Sequence, residues 1–143
     1  MSSETATYTG FEFEMDGFPA IAIINKDLND SELQSGFPNS VFIEIIPDSY
    51  NKFGHPQEAE HEYLVEVEKK MIDYLEKQTA TVHVGHTTLY RKREIIFYTK
   101  EAEKVDGFLS YFLSTIEREN SYEIERDAEW ENVAAFYQLL WAG

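Results

Sequence analysis

Asp127, Glu129 and Glu131 surround Trp130 in the stretch RDAEWENVAAFYQLLWAG near the end of the chain. Carboxylates beside an indole suit two chemistries: acid–base work by a carboxylate pair, or capture of a cationic group over an aromatic face. A simpler reading competes with both. Asp127 suits an N-cap, Glu129 and Glu131 suit a first helical turn, and Trp130 suits an inward position. Side chains one or two apart on a helix do not face each other, which weakens the carboxylate pair.

His83 and His86 invite a metal reading. Three apart on a strand, they point to opposite faces and cannot share one ion without a bulge. His55 and His61 flank or enter a helix beside Glu58 and Glu62, but no matched second half completes a ligand set of three or four. No metal and no cofactor are therefore expected. Arg91, Lys92 and Arg93 gather three of the 12 basic residues. They could grip a carboxylate or phosphate, or simply form a solvated hairpin tip. Arg93 is the member that could reach Asp127 or Glu129 across a sheet. The candidate binding set is Arg93, Tyr98, Asp127, Glu129 and Trp130, with no catalytic residue assigned. The sequence has no Gly-rich phosphate loop, Gly-x-Ser-x-Gly elbow or His-Glu-x-x-His pair.

The elements that must position these residues follow from periodicity. Phe11, Phe13 and Met15 alternate with Glu12 and Glu14, and Asp16-Gly17 is a two-residue turn signal, so residues 8–28 read as an N-terminal hairpin. NDSELQSGFPNS reads as a loop. VFIEIIP is a short, nearly continuous apolar strand. A helix should begin near Pro56, with Leu64, Val67, Met71, Tyr74 and Leu75 along one stripe. TATVHVGHTTLYRKREIIFYTK reads as a second hairpin turning at LYRKR. Thr99 is placed to cap the next helix, whose apolar face carries Val105, Phe108, Leu109, Phe112, Leu113 and Ile116. SYEIER is a last strand. Residues 127–141 form a terminal helix, with Val133, Phe136, Tyr137, Leu140 and Trp141 on one face.

After the first hairpin the order is strand, helix, strand, strand, helix, strand. That is the ferredoxin-like α+β arrangement, here βαββαβ over 41–126 with an antiparallel sheet, an N-terminal β-hairpin extension and a C-terminal helix. VFIEII and EIIFYT are the most apolar strands, as central strands should be, and TVHVGHT and SYEIER are the expected edges. The two core helices cover one sheet face only. The hairpin, the terminal helix or a second copy of the chain must cover the other, at least in part.

Composition bounds the function. The chain has 143 residues, 43% hydrophobic and 15% aromatic, which suits one folded domain over 1–143 with a frayed start at 1–7. A formal net charge of −15 repels phosphate backbones and anionic membranes and permits a basic protein partner. No apolar run approaches the ~20 residues of a membrane span. No secretory signal is read at the N-terminus, and the lack of cysteine suits a cytoplasmic protein.

Several motifs taken in order resemble the domain-of-unknown-function 695 family of uncharacterised bacterial proteins. They are DGFPA, FGHPQEAEHEYLVEVEKKMIDYL, VGHTTLYRKREIIFYTK and YEIERDAEWENVAAFY, from about Phe11 to Tyr137. LYRKR departs from the more usual Gly-containing turn. The resemblance implies a ferredoxin-like domain and no assigned activity. A more remote similarity, by analogy only, is to the regulator of ribonuclease E activity B, a small acidic group that inhibits the nuclease by binding it. The leading expectation is a non-catalytic interaction or regulatory domain that binds a basic protein through its acidic surface. The alternative is a small-molecule-binding protein or hydrolase with a pocket near Trp130, Tyr98 and Arg93. A homodimer that pairs sheet faces is a third option.

Overall fold

The computed structural model describes residues 7–142, with side chains through residue 140. The expectations for residues 1–6 and for the Trp141 side chain lie outside the described residues. Strand β1 (Tyr8–Met15) turns at Asp16-Gly17 into β2 (Phe18–Asn25). Both turn residues have positive φ, 54° and 84°, the backbone whose twist matches a two-residue hairpin. A 3-10 turn (Lys26–Leu28) ends the stretch read as the hairpin, and the expected loop at 29–40 holds a short helix α1 (Ser31–Ser35). Asp30 caps α1 by accepting the N–H groups of Glu32 and Leu33 at 2.9 and 3.2 Å.

Strand β3 (Asn39–Ile45), helix α2 (Glu58–Gln78), strands β4 (Thr81–Leu89) and β5 (Lys92–Thr99), helix α3 (Ala102–Ser114) and strand β6 (Asn120–Arg126) follow. A 3-10 turn (Glu131–Val133) leads into α4 (Ala134–Ala142), so the terminal helix starts later than its composition suggests. Thr99 is not the cap of α3. It is fully buried, and its Oγ1 accepts the Glu101 N–H at 2.9 Å while Glu101 occupies the N-cap position.

The molecule is a mixed α+β fold with one six-stranded sheet in the order β1-β2-β4-β5-β3-β6, every adjacent pair antiparallel. The order is not that of a simple βαββαβ chain, because the first hairpin joins the sheet through β2. Strand β4, expected at an edge, is therefore interior and buried along nearly its whole length. Strand β6 remains an edge, and its alternating glutamates suit that place.

Two cores flank the sheet. On one face, Leu64, Met71 and Leu75 of α2 and Val105 and Leu109 of α3 pack on Ile43, Ile95 and Phe97. On the other, Ile24, Val84, Ile96 and Tyr98 lie under Leu28, Leu33 and Phe37 and under Trp130, Val133 and Tyr137. Ile95 and Ile96 are both fully buried, one in each core. The second face is thus covered by the 26–37 segment and the terminal helix, while the hairpin widens the sheet instead of covering it. Among the described residues, this cover reaches β6 only through Asn132, which donates to Glu125 Oε1 at 2.7 Å. Half-buried Phe42 there has Glu44, Glu94, Glu123 and Glu125 around it. No helix among the described residues is long and apolar enough to cross a membrane.

Candidate functional site

Three of the five sequence-derived candidates come together on the second face. Trp130 stacks on Tyr98 with ring centroids 3.9 Å apart and planes 17° apart. Its Nε1–H points at the carbonyls of Gln34 and Phe37, at 3.0 and 2.9 Å. The Tyr98 hydroxyl donates to Asp127 Oδ2 at 2.6 Å. The two carboxylate oxygens of Asp127 also accept the N–H groups of Glu131 and Asn132, each at 2.9 Å. Asp127 therefore starts the terminal turn, as its residue type suggests, but from four and five residues upstream. Trp130 is 2% exposed and adopts φ 56°.

Burial, then the Asp127 hydrogen bond, pushes the Tyr98 hydroxyl pKa up and keeps it a donor. Tyr98→Phe is expected to lower stability by about 1–2 kcal/mol, read as a shift in urea midpoint. The loss stays modest because Asp127 keeps its two backbone donors.

Arg93 and Glu129 do not join this group. Glu129 is exposed. Arg93 is fully buried on the opposite sheet face, where its Nη2 lies 2.9 Å from His61 Nδ1. The expected reach to Asp127 or Glu129 fails because residues an odd number apart on β5 face opposite ways. The basic cluster is also dispersed: Arg91 is exposed at the tip, Lys92 pairs with Glu44 at 3.1 Å, and Arg93 faces inward.

A different set of residues converges on the helix-covered face. Strand β4 carries a β-bulge: His83 lies opposite Phe97, but Gly85 lies opposite Ile96, leaving Val84 as the extra residue. The bulge shifts the alternation by one, so His86 falls opposite Ile95 and shares a face with His83. Both rings meet Glu68, a carboxylate on the buried stripe of α2 between Leu64 and Met71. His83 Nε2 is 2.7 Å from Glu68 Oε2, and His86 Nδ1 is 2.8 Å from Glu68 Oε1. The Tyr8 hydroxyl lies 2.7 Å from His83 Nδ1.

The proton positions in this chain can be worked out. Burial opposes the charge on Glu68, but hydrogen bonds from His83 and His86 outweigh it and hold the carboxyl below the ordinary carboxylate range. An ionised carboxylate only accepts, so each histidine must present an N–H to it. Burial, and then the Glu68 charge, push the Tyr8 hydroxyl pKa up, so Tyr8 stays a donor. His83 Nδ1 then accepts from Tyr8, and His83 Nε2 donates to Glu68. His86 turns Nδ1 toward Glu68, which leaves Nε2 directed away from the carboxylate.

These groups form one end of a cavity of about 710 Å³ whose walls include Ile23, Val65 and Ile72. No group of three or more His, Asp or Glu side chains among the described residues is arranged to hold a metal ion. Sequence reasoning placed the two histidines on opposite faces and missed Glu68. The available signals were Gly85 inside a strand and the carboxylate at position 68 between Val67 and Met71 of the apolar stripe.

Two polar regions thus mark the surface of a mixed α+β domain: this cavity, and the acidic open part of the second face. Residues 8–138 match the family described as "Family of unknown function (DUF695)", and the chain belongs to that family. No curated protein and no solved structure matches the chain.

Proposed function

We propose that the chain is a non-catalytic interaction domain that receives a basic segment of another protein on the open acidic part of its second sheet face. The observation that carries this reading is the grouping of Glu44, Glu94, Glu123 and Glu125 with half-buried Phe42 along a groove of about 550 Å³. The alternating pattern of β6 puts Glu123 opposite Phe42 and Glu125 opposite Ser40, and Glu44 lies opposite Glu94. Lys92 offsets this charge at one end through Glu44. Burial, and the neighbouring Glu44, raise the Glu94 pKa against the opposing effect of Lys92. A partner lysine or arginine would relieve that cost, and steering by the −15 net charge would speed the encounter.

The same reading takes the part β4-β5-β3-β6, with α2 and α3 on one face, as a ferredoxin-like core to which the hairpin was added. A small acidic domain of this kind also fits the remote similarity to the regulator of ribonuclease E activity B.

Titration with an oligolysine peptide at low salt, followed by amide NMR, tests the proposal. Shifts should concentrate at Phe42, Ser121 and Glu123. Affinity should rise with pH across the Glu94 titration, because a bound cation favours ionised Glu94. Glu123→Gln with Glu125→Gln should weaken binding about tenfold, and Glu12→Gln with Glu14→Gln, exposed on β1, should change it little. Equal losses in the two double variants would mean that overall charge alone attracts the peptide, and would overturn the reading.

A further inference from the structure

We infer that the cavity over Glu68 binds a small, mostly apolar molecule carrying one hydroxyl or N–H donor, and that His86 Nε2 is the atom that receives it. This site lies on the helix-covered face and is independent of the acidic groove.

Three observations support it. First, the polar groups are built, not incidental. Glu68 is 6% exposed and His83 4%, and both oxygens of the one and both nitrogens of the other are used within the Tyr8–His83–Glu68–His86 chain. Second, His86 is the end of that chain. Its Nδ1 is held by Glu68, its ring lines the cavity, and Nε2 makes no hydrogen bond among the described residues. Glu68 thereby acts as a positioning residue that fixes which His86 nitrogen carries the lone pair. Third, Ile23, Val65 and Ile72 make part of the wall apolar, beside Lys69, Asp73 and Lys77 at the rim. Ile23, Val65 and Ile72 line a space of about 710 Å³, and a few converging polar groups in an apolar cavity is the usual make-up of a small-ligand site.

The charge pattern selects the ligand class. Rim Lys77 is paired with Asp73 at 3.0 Å, and rim Lys69 has Glu66 at 3.7 Å. Glu68 lies behind the histidines. An anion meets no surplus of positive charge there, within a chain whose net charge is −15. A neutral donor meets a lone pair already oriented.

The test uses 4-propylphenol and its methyl ether, 4-propylanisole, which match in shape but differ in the donor. Methyl NMR titration of the full chain should show 4-propylphenol shifting Ile23, Val65 and Ile72, with affinity about tenfold above that of the ether. In His86→Phe the two should bind within about twofold of each other. Ile72→Trp, which fills the cavity from a half-buried position, should abolish both. Folding of each variant is checked by amide spectra, and Ile72→Trp serves if His86→Phe fails to fold. Equal binding of phenol and ether to the wild-type chain, tighter binding of 3-phenylpropanoate than of the phenol, or shifts confined to other methyls would each overturn the inference.

Discussion

Replacing Gly85 with alanine is expected to destabilise the fold by at least about 3 kcal/mol, and in the extreme to prevent folding. A Cβ at this position would lie 1.9 Å from the Ile23 carbonyl oxygen and 3.0 Å from the Ile24 Cα. Those atoms belong to the backbone of β2, and no side-chain rotation can move them. The residue also holds φ +150°, which L side chains rarely adopt. Relief requires β2 to separate from β4, and with it the hairpin that makes β4 an interior strand. Gly107 supplies the matched control. It is exposed on α3, and a Cβ there would meet nothing within 4 Å. Gly107→Ala should therefore raise stability by about 0.5–1 kcal/mol through helix propensity. Urea denaturation of the two variants checks both signs. A Gly85→Ala variant with a wild-type midpoint would mean that the β2–β4 approach is looser than described.

The second large effect lies at Glu68. Glu68→Ala is expected to cost about 3–5 kcal/mol at neutral pH, because it removes a buried ionic acceptor and strands the N–H groups of His83 and His86. The pH dependence follows from the direction of the carboxyl shift. Glu68 titrates lower in the folded chain than in the unfolded one. Its stabilising contribution is complete above the unfolded value of about 4.3 and is lost as pH falls through the folded value. The difference in urea midpoint between wild type and variant should therefore narrow on acidification. A gap that widened would show that Glu68 is folded as the neutral acid.

Much of the fold was legible because its signals are local. The Asp16-Gly17 turn, the alternation in β1 and β6 and the apolar stripes of α2 and α3 each lie within one element, and each element forms where its period says. The place of β4 was not legible, because joining β2 to its outer side is a long-range pairing that no short window records. The site was harder still. The Tyr98, Asp127 and Trp130 grouping was visible as a set of residue types, and Tyr98 and Trp130 pack in the second core beside Asp127. Arg93 was assigned to that set although it lies five positions from Tyr98, and strand parity alone puts the two on opposite faces. His83 and His86 were read with correct parity for a regular strand. The bulge at Val84 reversed the outcome, and Gly85 was its only local trace.

Trp130 has a consequence for the order in which the chain can be completed. Its indole N–H bonds to carbonyls 96 and 93 residues earlier, and its ring caps Tyr98. During synthesis, the face of β5 that bears Ile96 and Tyr98 meets the earlier 26–37 segment at once, but emerges well before Trp130, Val133 and Tyr137, which complete its cover. The nascent chain must carry part of that apolar surface uncovered until those residues arrive. Trp130 then completes the second core, and the interval between β5 and Trp130 leaves apolar surface open to aggregation.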